Sequence, residues 1–511
     1  MKKRFTVAIV CLFLAGVLVI GCGGQTDPAK IIPEDAQAVV LIPNIGQTAG
    51  HISEFMDYIG KQVPAAAGGK QMMKVFTGAD LTNPDELAAK GINPKGGLAF
   101  ALLDMTKMDG AFIVAVKKEA DFIAFLNELA KKSGAPELTK DGDAYSSPGV
   151  PGQLKIKKGF AIFAQNPDTL NKLTGKGKTL SGSDDFKTAL AEIDAGGDLV
   201  VYISAKMLAA APTPQAQQMA KALKDLKAIG ASLNIGAEEW SLKVFTSMAG
   251  MEDAKKLLSS GGEGSLLESL PGPAPVLART NLSIPALWNY IKEKSNSDPE
   301  FKKNYEMAMA QLTIPATVNL ETDLIGNIVG DLALAYYGQS GKGRRKTPDF
   351  VLTIVVKDEA KVKDSLQKIA DSMLTRKKKK KSDLEEMGVI EFGPGRDKIY
   401  IAVVKSNLVI TPVADRMKKV LATFAGAAAQ PATASIHAEA KKLLLNKNAT
   451  AAYVGAKHLL EAMKENASRN KKAQLEAYEA QMAELLKSYM IISAELMDEG
   501  SLLTLNVHLG E

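Results

Sequence analysis

The chain has 511 residues, 46% hydrophobic and 23% charged, with 63 Lys and Arg against 57 Asp and Glu. That balance excludes collagen-like, disordered and disulfide-stapled classes, and one long apolar run excludes a polytopic membrane protein. The length suits about two to four domains with sizeable cores, and a formal charge of +6 is by itself weak evidence about partners.

At the N-terminus, Lys2, Lys3 and Arg4 precede an apolar stretch from Phe5 to Ile20. The stretch is shorter than the roughly 20 residues a spanning helix needs, so residues 1–21 read as an export signal peptide. It ends in Val19-Ile20-Gly21-Cys22, followed by Gly23-Gly24. This motif resembles the lipobox of bacterial lipoproteins. The resemblance implies that the Cys22 thiol carries diacylglycerol, that the chain is cut before it, and that the new N-terminus is acylated (typically with palmitate). Acyl chains contribute about 0.8 kcal/mol per buried CH₂, so two or three of them hold a protein on a bilayer stably. Gly23 stands where the inner-membrane members of that family carry Asp, so the resemblance favours the outer membrane, with the body in the periplasm. Residues 22–30 read as a lipidated tether reaching at most about 28 Å beyond the Cys. Cys11 leaves with the signal, so the body keeps no thiol for a disulfide, a zinc site or nucleophilic catalysis.

The body repeats itself. Leu98-Ala-Phe-Ala-Leu102 recurs as Leu332-Ala-Leu-Ala-Tyr336, and Val116-Lys-Lys-Glu-Ala120 as Val356-Lys-Asp-Glu-Ala360. Val201-Tyr-Ile-Ser-Ala-Lys-Met-Leu208 recurs as Ala452-Tyr-Val-Gly-Ala-Lys-His-Leu459. Three blocks in order, at offsets of 234, 240 and 251, point to two homologous halves, 31–250 and 271–511, with 251–270 as a linker whose Ser259–Gly264 is rich in Gly and Ser and which runs into Pro271-Gly-Pro-Ala-Pro275.

In chain order, each half opens on a strand after a proline (Ala38–Ile42; Val276–Thr280) and continues with a helix. A hairpin follows, Leu98–Leu103 with Ala111–Val116 in the first half, and then a helix over Asp121–Lys132 or Lys361–Leu374. Next come a pair such as Gln153–Ile156 with Phe160–Ala164, a helix from about Asp168, and the Tyr202 strand. A longer helix carries Met219, Leu223, Leu226 and Ile229 on one stripe, or Leu475, Tyr478, Met482, Leu485 and Tyr489 in the second half. A final pair, Ser232–Ile235 with Ser241–Thr246, closes the unit. Alternating strands predict antiparallel sheets with one covered face, and hairpins interspersed with helices predict α+β rather than a doubly wound sheet. The layout also resembles duplicated domains of unknown function in exported bacterial proteins, a likeness that implies no activity.

Catalytic motifs fail on spacing. Gly177-Lys178-Thr179 looks like the end of a phosphate loop but lacks the earlier glycine and follows a helix. His51, His437, His458 and His508 have no metal-ligand spacing, and His458 aligns with Met207, a packing position. Ser365-x-x-Lys368 lies mid-helix without its Lys-Thr-Gly partner. The pairs Asp184-Asp185, Glu238-Glu239 and Glu385-Glu386 point apart and read as solvated surface. No cofactor, metal or catalytic residue is expected.

One feature differs between the halves. Lys342, Arg344, Arg345 and Lys346 occupy a loop whose counterpart near Thr106–Gly110 is nearly neutral, and Arg376, Lys377, Lys378, Lys379, Lys380 and Lys381 follow the next helix. If that helix doubles back along its strand, the ten cations share one edge. Without them and the signal, the rest carries 50 basic against 57 acidic residues. The sequence therefore predicts a lipid-anchored envelope protein that binds or scaffolds without catalysis. Its basic edge would meet anionic lipid, an acidic envelope polymer or an acidic protein; nucleic acid is not expected behind such a signal. Two alternatives stand beside it: a periplasmic carrier of an apolar ligand, and an enzyme with a site between the halves.

Overall fold

The computed structural model describes residues 26–62, 68–210, 225–258, 265–297, 299–311, 315, 317–341, 346–373, 382–393, 398–426, 431–446, 449–467, 469–481 and 485–510. Its strands are β1 (Ala38–Ile42), β2 (Leu98–Asp104), β3 (Asp109–Ala115), β4 (Thr139–Asp141), β5 (Ala144–Ser146), β6 (Gln153–Lys157), β7 (Phe160–Ala164), β8 (Leu199–Ser204), β9 (Leu226–Ile235) and β10 (Glu239–Met248). They continue as β11 (Val276–Thr280), β12 (Ile328–Ser340), β13 (Thr347–Val356), β14 (Ile390–Phe392), β15 (Ile399–Val404), β16 (Asn407–Thr411), β17 (Ala449–Gly455), β18 (Tyr489–Leu496) and β19 (Gly500–His508). Helices intersperse with these antiparallel strands, so the fold is α+β. The chain divides into two units: residues up to Gly250 together with Met497–His508, and Met251–Leu496 together with Leu509–Glu511.

In the first unit the sheet runs β4-β5-β6-β7-β3-β2-β1-β8-β9-β10-β19, every neighbour antiparallel. Alternation sorts its side chains onto two faces. Val39, Leu41, Ala99, Ala101, Ala111, Ile113 and Ile162 belong to one core cluster, while Ile42, Leu98, Val114, Ala161 and Phe163 belong to a second. Both faces are therefore covered, where the alternation had predicted one. The alanines on the first face let the short helices Pro167–Thr174 and Asp184–Ala191 sit close, burying Leu170, Leu173, Phe186 and Ala189. The second face takes Phe122 and Phe125 of the helix Glu119–Ser133. That helix carries Glu119 and Asp121 in its first turn and Lys131 and Lys132 in its last, which suits its dipole. It stops at Gly134, whose φ of 72° is one that side chains resist.

The second unit has the order β14-β15-β16-β13-β12-β11-β17-β18, again antiparallel throughout. Leu277, Ala333, Ala335, Val351 and Val409 pack on one face, and Ile354, Val356, Val403 and Leu408 on the other. The segment 251–270, expected as a linker, is partly core: Leu266, Leu267 and Leu270 are buried in this unit. The glycines beside them have linker composition, but three leucines in five residues are removed from water wherever a sheet face is open.

Two helical stripes are corrected. Leu226 and Ile229 lie in strand β9, and Tyr489 in strand β18. Leu475 and Tyr478 remain helical in Arg469–Gln481, and Leu485 sits in a short 3₁₀ turn. Met219, Leu223 and Met482 fall outside the described residues. The closing strand β19, placed in the second half by the repeat, lies in the first unit and pairs with β10 from Glu239↔His508 to Ser247↔Gly500.

Candidate functional site

Most residues singled out for function in the sequence lie outside the described residues: Cys22, Lys342, Arg344, Arg345 and the run Arg376 to Lys381. Lys346 is described, exposed, and immediately precedes β13. The rejected motifs are ordinary structure. Thr179 enters a 3₁₀ turn capped by Ser183, and Asp184 and Asp185 form the first turn of a helix. Ser365 is buried on the helix Glu359–Met373, where Lys368 pairs with Asp364 at 2.7 Å. Among the described residues, no group of three His, Cys, Asp or Glu is placed to hold a metal ion, and no helix is long and apolar enough to cross a membrane.

The structure instead draws attention to an end of the first unit's sheet, where β1 begins, β8 ends and β9 begins. Three backbone links assemble it. Leu180 N–H donates to the Ile32 carbonyl (2.8 Å), Glu34 N–H to Lys178 (3.2 Å), and Ser204 N–H to Gln37 (2.8 Å). A turn from Pro33 to Ala36 presents Glu34 and Asp35 to solvent. The result is a cleft of about 560 Å³. Its floor is Tyr202, Ser183, Ser204, Ala36 and Leu226, all buried; its rim carries Glu34, Asp35 and Asp185 together with Lys178, Lys206 and Lys227, all exposed. Glu34 and Lys178 approach to 3.9 Å, a loose surface contact worth little energy. Burial, then the Asp185 carboxylate, push the Tyr202 hydroxyl up to about 12, so it stays protonated at neutral pH and serves as a hydrogen-bonding group. Its ring packs edge-on against Phe186, with centroids 5.2 Å apart.

The opposite end of β8 and β9 holds a buried carboxylate. Asp198, 2% exposed, accepts hydrogen bonds from the Thr48 hydroxyl and the Ile235 N–H (2.6 Å), and His51 Nδ1 lies 2.9 and 3.0 Å from its two oxygens. These residue types resemble a hydrolytic triad, but their order does not. A triad needs imidazole between nucleophile and carboxylate; here the carboxylate stands between hydroxyl and imidazole. The arrangement clamps the helix Ile45–Gln62 to two strand ends. His51 had been read as scattered because its partner lies 147 positions away, a distance no local motif reveals.

The second unit holds two ion pairs, one fully and one largely buried. Arg279 on β11 grips Asp331 with Nε at 2.8 Å and a second nitrogen at 3.1 Å, both side chains 1% exposed. Arg416 holds Asp349 through contacts of 3.1 and 2.8 Å and stacks on Tyr337, 3.4 Å from the ring centre. Tyr337 donates to the Pro271 carbonyl at 2.6 Å, and burial pushes its hydroxyl pKa well up. Each buried charge has a fixed partner, which suits architecture rather than turnover.

A family model described as a protein of unknown function (DUF3352) matches residues 104–354, from the end of β2 into β13. No curated protein matches. Among solved structures, crystal form III of TP0453 is 12% identical, covers 44% of this chain and 81% of its own, and has a TM-score of 0.25. Crystal form IV of TP0453 is 12% identical, covers 46% and 86%, and has a TM-score of 0.27. Similarity at that level carries no argument about fold or activity.

Proposed function

We propose that this chain is a lipid-anchored protein of the bacterial cell envelope, built by duplication of one α+β unit and acting by binding rather than catalysis. The observation that carries the anchor is the sequence Val19-Ile20-Gly21-Cys22 behind a short basic and apolar leader. Acyl chains on Cys22 and a tether of a few residues would keep the body at the outer membrane, within the periplasm.

Support for duplication comes from register. Val39 faces Ala101 as Leu277 faces Ala335; Ala99 faces Ile113 as Ala333 faces Thr353; Val39 faces Tyr202 as Leu277 faces Tyr453. Strands β2, β3 and β8 carry the offsets of 234, 240 and 251 found in the repeated blocks, and β1 an offset of 238. Even a hydrogen-bonded carboxylate recurs. Asp109 at the start of β3 accepts from Thr169 (2.6 Å) and Asn166 (3.2 Å), while Asp349, 240 positions on, is held by Arg416.

The basic loops at Lys342–Lys346 and Arg376–Lys381 supply attraction to an anionic surface in this reading, each cation contributing about 1 kcal/mol near a charged bilayer. Charged walls in the first unit's cleft favour this reading over the apolar carrier. One experiment tests both parts. Cys22→Ser is expected to abolish acylation and release the chain from membranes. The released protein is expected to sediment with anionic vesicles, and to lose that binding when the ten clustered cations are neutralised. A Cys22→Ser protein that still carries lipid overturns the anchor; vesicle binding indifferent to the ten cations overturns the basic edge.

A further inference from the structure

The cleft at the end of β1, β8 and β9 carries acidic and basic side chains on different strands. Glu34 and Asp35 stand on the segment leading into β1, and Lys206 and Lys227 stand just beyond β8 and at the start of β9. Neighbouring strands lie about 4.8 Å apart, so the lead-in to β1 and the start of β9 are separated by about 10 Å across β8. Asp185 adds a carboxylate near Tyr202, and Lys178 lies beside Glu34. Between the two walls the floor offers hydroxyls, those of Tyr202, Ser183 and Ser204.

Three carboxylates and three ammonium groups around one cavity discriminate by charge. A purely anionic ligand meets Glu34, Asp35 and Asp185 at close range, and a purely cationic one meets three lysines. An apolar ligand would strip water from six charges without replacing it. A molecule with a cation at one end, an anion at the other and hydrogen-bonding groups between them satisfies every wall.

The second unit is built differently at the matching end of its sheet, where β11 begins, β17 ends and β18 begins. Gly455 there pairs with Tyr489, as Ser204 pairs with Ala228 in the first unit. Tyr489 stacks on His437 with centroids 5.2 Å apart, hydrogen-bonds it at 3.0 Å, and lies 5.7 Å from Tyr453. Aromatic rings stand there among the described residues.

We infer that the cleft binds a short dipolar molecule, of which a free-ended peptide of two or three residues is the simplest form. Its ammonium would lie toward Glu34 and Asp35, and its carboxylate toward Lys206 and Lys227. A tripeptide spans about 10 Å when extended, which matches the separation of the walls. This inference goes beyond the envelope reading and does not depend on the anchor or the basic loops.

The test is calorimetric titration of the full-length chain with tri-alanine and with its acetylated, amidated counterpart, at low ionic strength. Tri-alanine is expected to bind with a Kd of about 0.1–1 mM, the capped peptide about tenfold more weakly or not at all. The pairs Glu34→Gln with Asp35→Asn, and Lys206→Gln with Lys227→Gln, are each expected to weaken tri-alanine about tenfold. All four side chains are exposed, so these variants should keep the parent's circular dichroism and melting temperature. No heat above dilution at about 10 mM tri-alanine, equal binding of free and capped peptides, or unchanged binding by either variant pair overturns the inference. Vesicle binding is unaffected in every case, which keeps this failure distinct from failure of the basic edge.

Discussion

Arg279 survives burial because Asp331 meets it with two hydrogen bonds. Asp331 sits at a φ of 56°, a conformation that few side chains adopt, immediately before the strand residues that pair with β11. Removing the arginine leaves a carboxylate without water or counter-charge. Arg279→Met is expected to cost about 3–5 kcal/mol in denaturant unfolding. The first unit carries Leu41 and Gly97 at the corresponding offsets. The double change Arg279→Leu with Asp331→Gly is therefore expected to recover most of the loss, since neither charge then remains buried. A half-buried carboxylate behaves otherwise. The Thr106 hydroxyl, with the backbone N–H groups of Thr106 and Lys107, holds Asp104 down at about 2 against an ordinary 3.8. Its folded pKa is depressed, so its contribution is fully present above 3.8 and is lost as pH falls toward 2. A carboxyl NMR titration is expected to show this, and Thr106→Val to move the Asp104 midpoint upward.

At the scale of elements, β19 covers the edge of β10 over nine facing pairs. Phe245, fully buried, and the half-buried Leu502 join the same core from these two strands. Truncation after Leu496 is expected to raise amide exchange through β9 and β10 well before β11, β12 and β13 respond. Equal loosening of all five strands would contradict the assignment of β19 to the first unit. The strands with large alternating residues were legible in the sequence: β1 and β11 begin and end where periodicity placed them. Strand β9 was not. Its inward residues are Leu226, Ala228, Gly230 and Ser232, too small and too polar to register as an apolar face, while Leu226 and Ile229 fall by chance at helical spacing. Tyr489 misled in the same way, because a stripe begun on a helix continued across a break into a strand. The cleft was equally hidden. Glu34, Asp35, Lys206 and Lys227 are unremarkable singly, and only the antiparallel return of β8 and β9 past β1 brings them to one cavity.

For the whole molecule, the weak positive charge that first described the chain conceals two local features: basic runs in the sequence at 342–346 and 376–381, and a cleft whose charges cancel. The family model that matches residues 104–354 takes in Asp185, Tyr202, Lys206 and Lys227 of the cleft, but neither Glu34 and Asp35 nor the stack at Tyr489. Strand β19 also sets a clock. Roughly 250 residues lie between β10 and the strand that covers it, and at about 5–20 residues per second a ribosome takes about 10–50 s to supply them. Throughout that interval the first unit presents an uncapped edge, ready to pair with any extended segment nearby. A chain that emerges N-terminus first can finish its second sheet before its first. The nascent protein therefore has reason to remain bound to a holding factor until residues 500–508 are in reach.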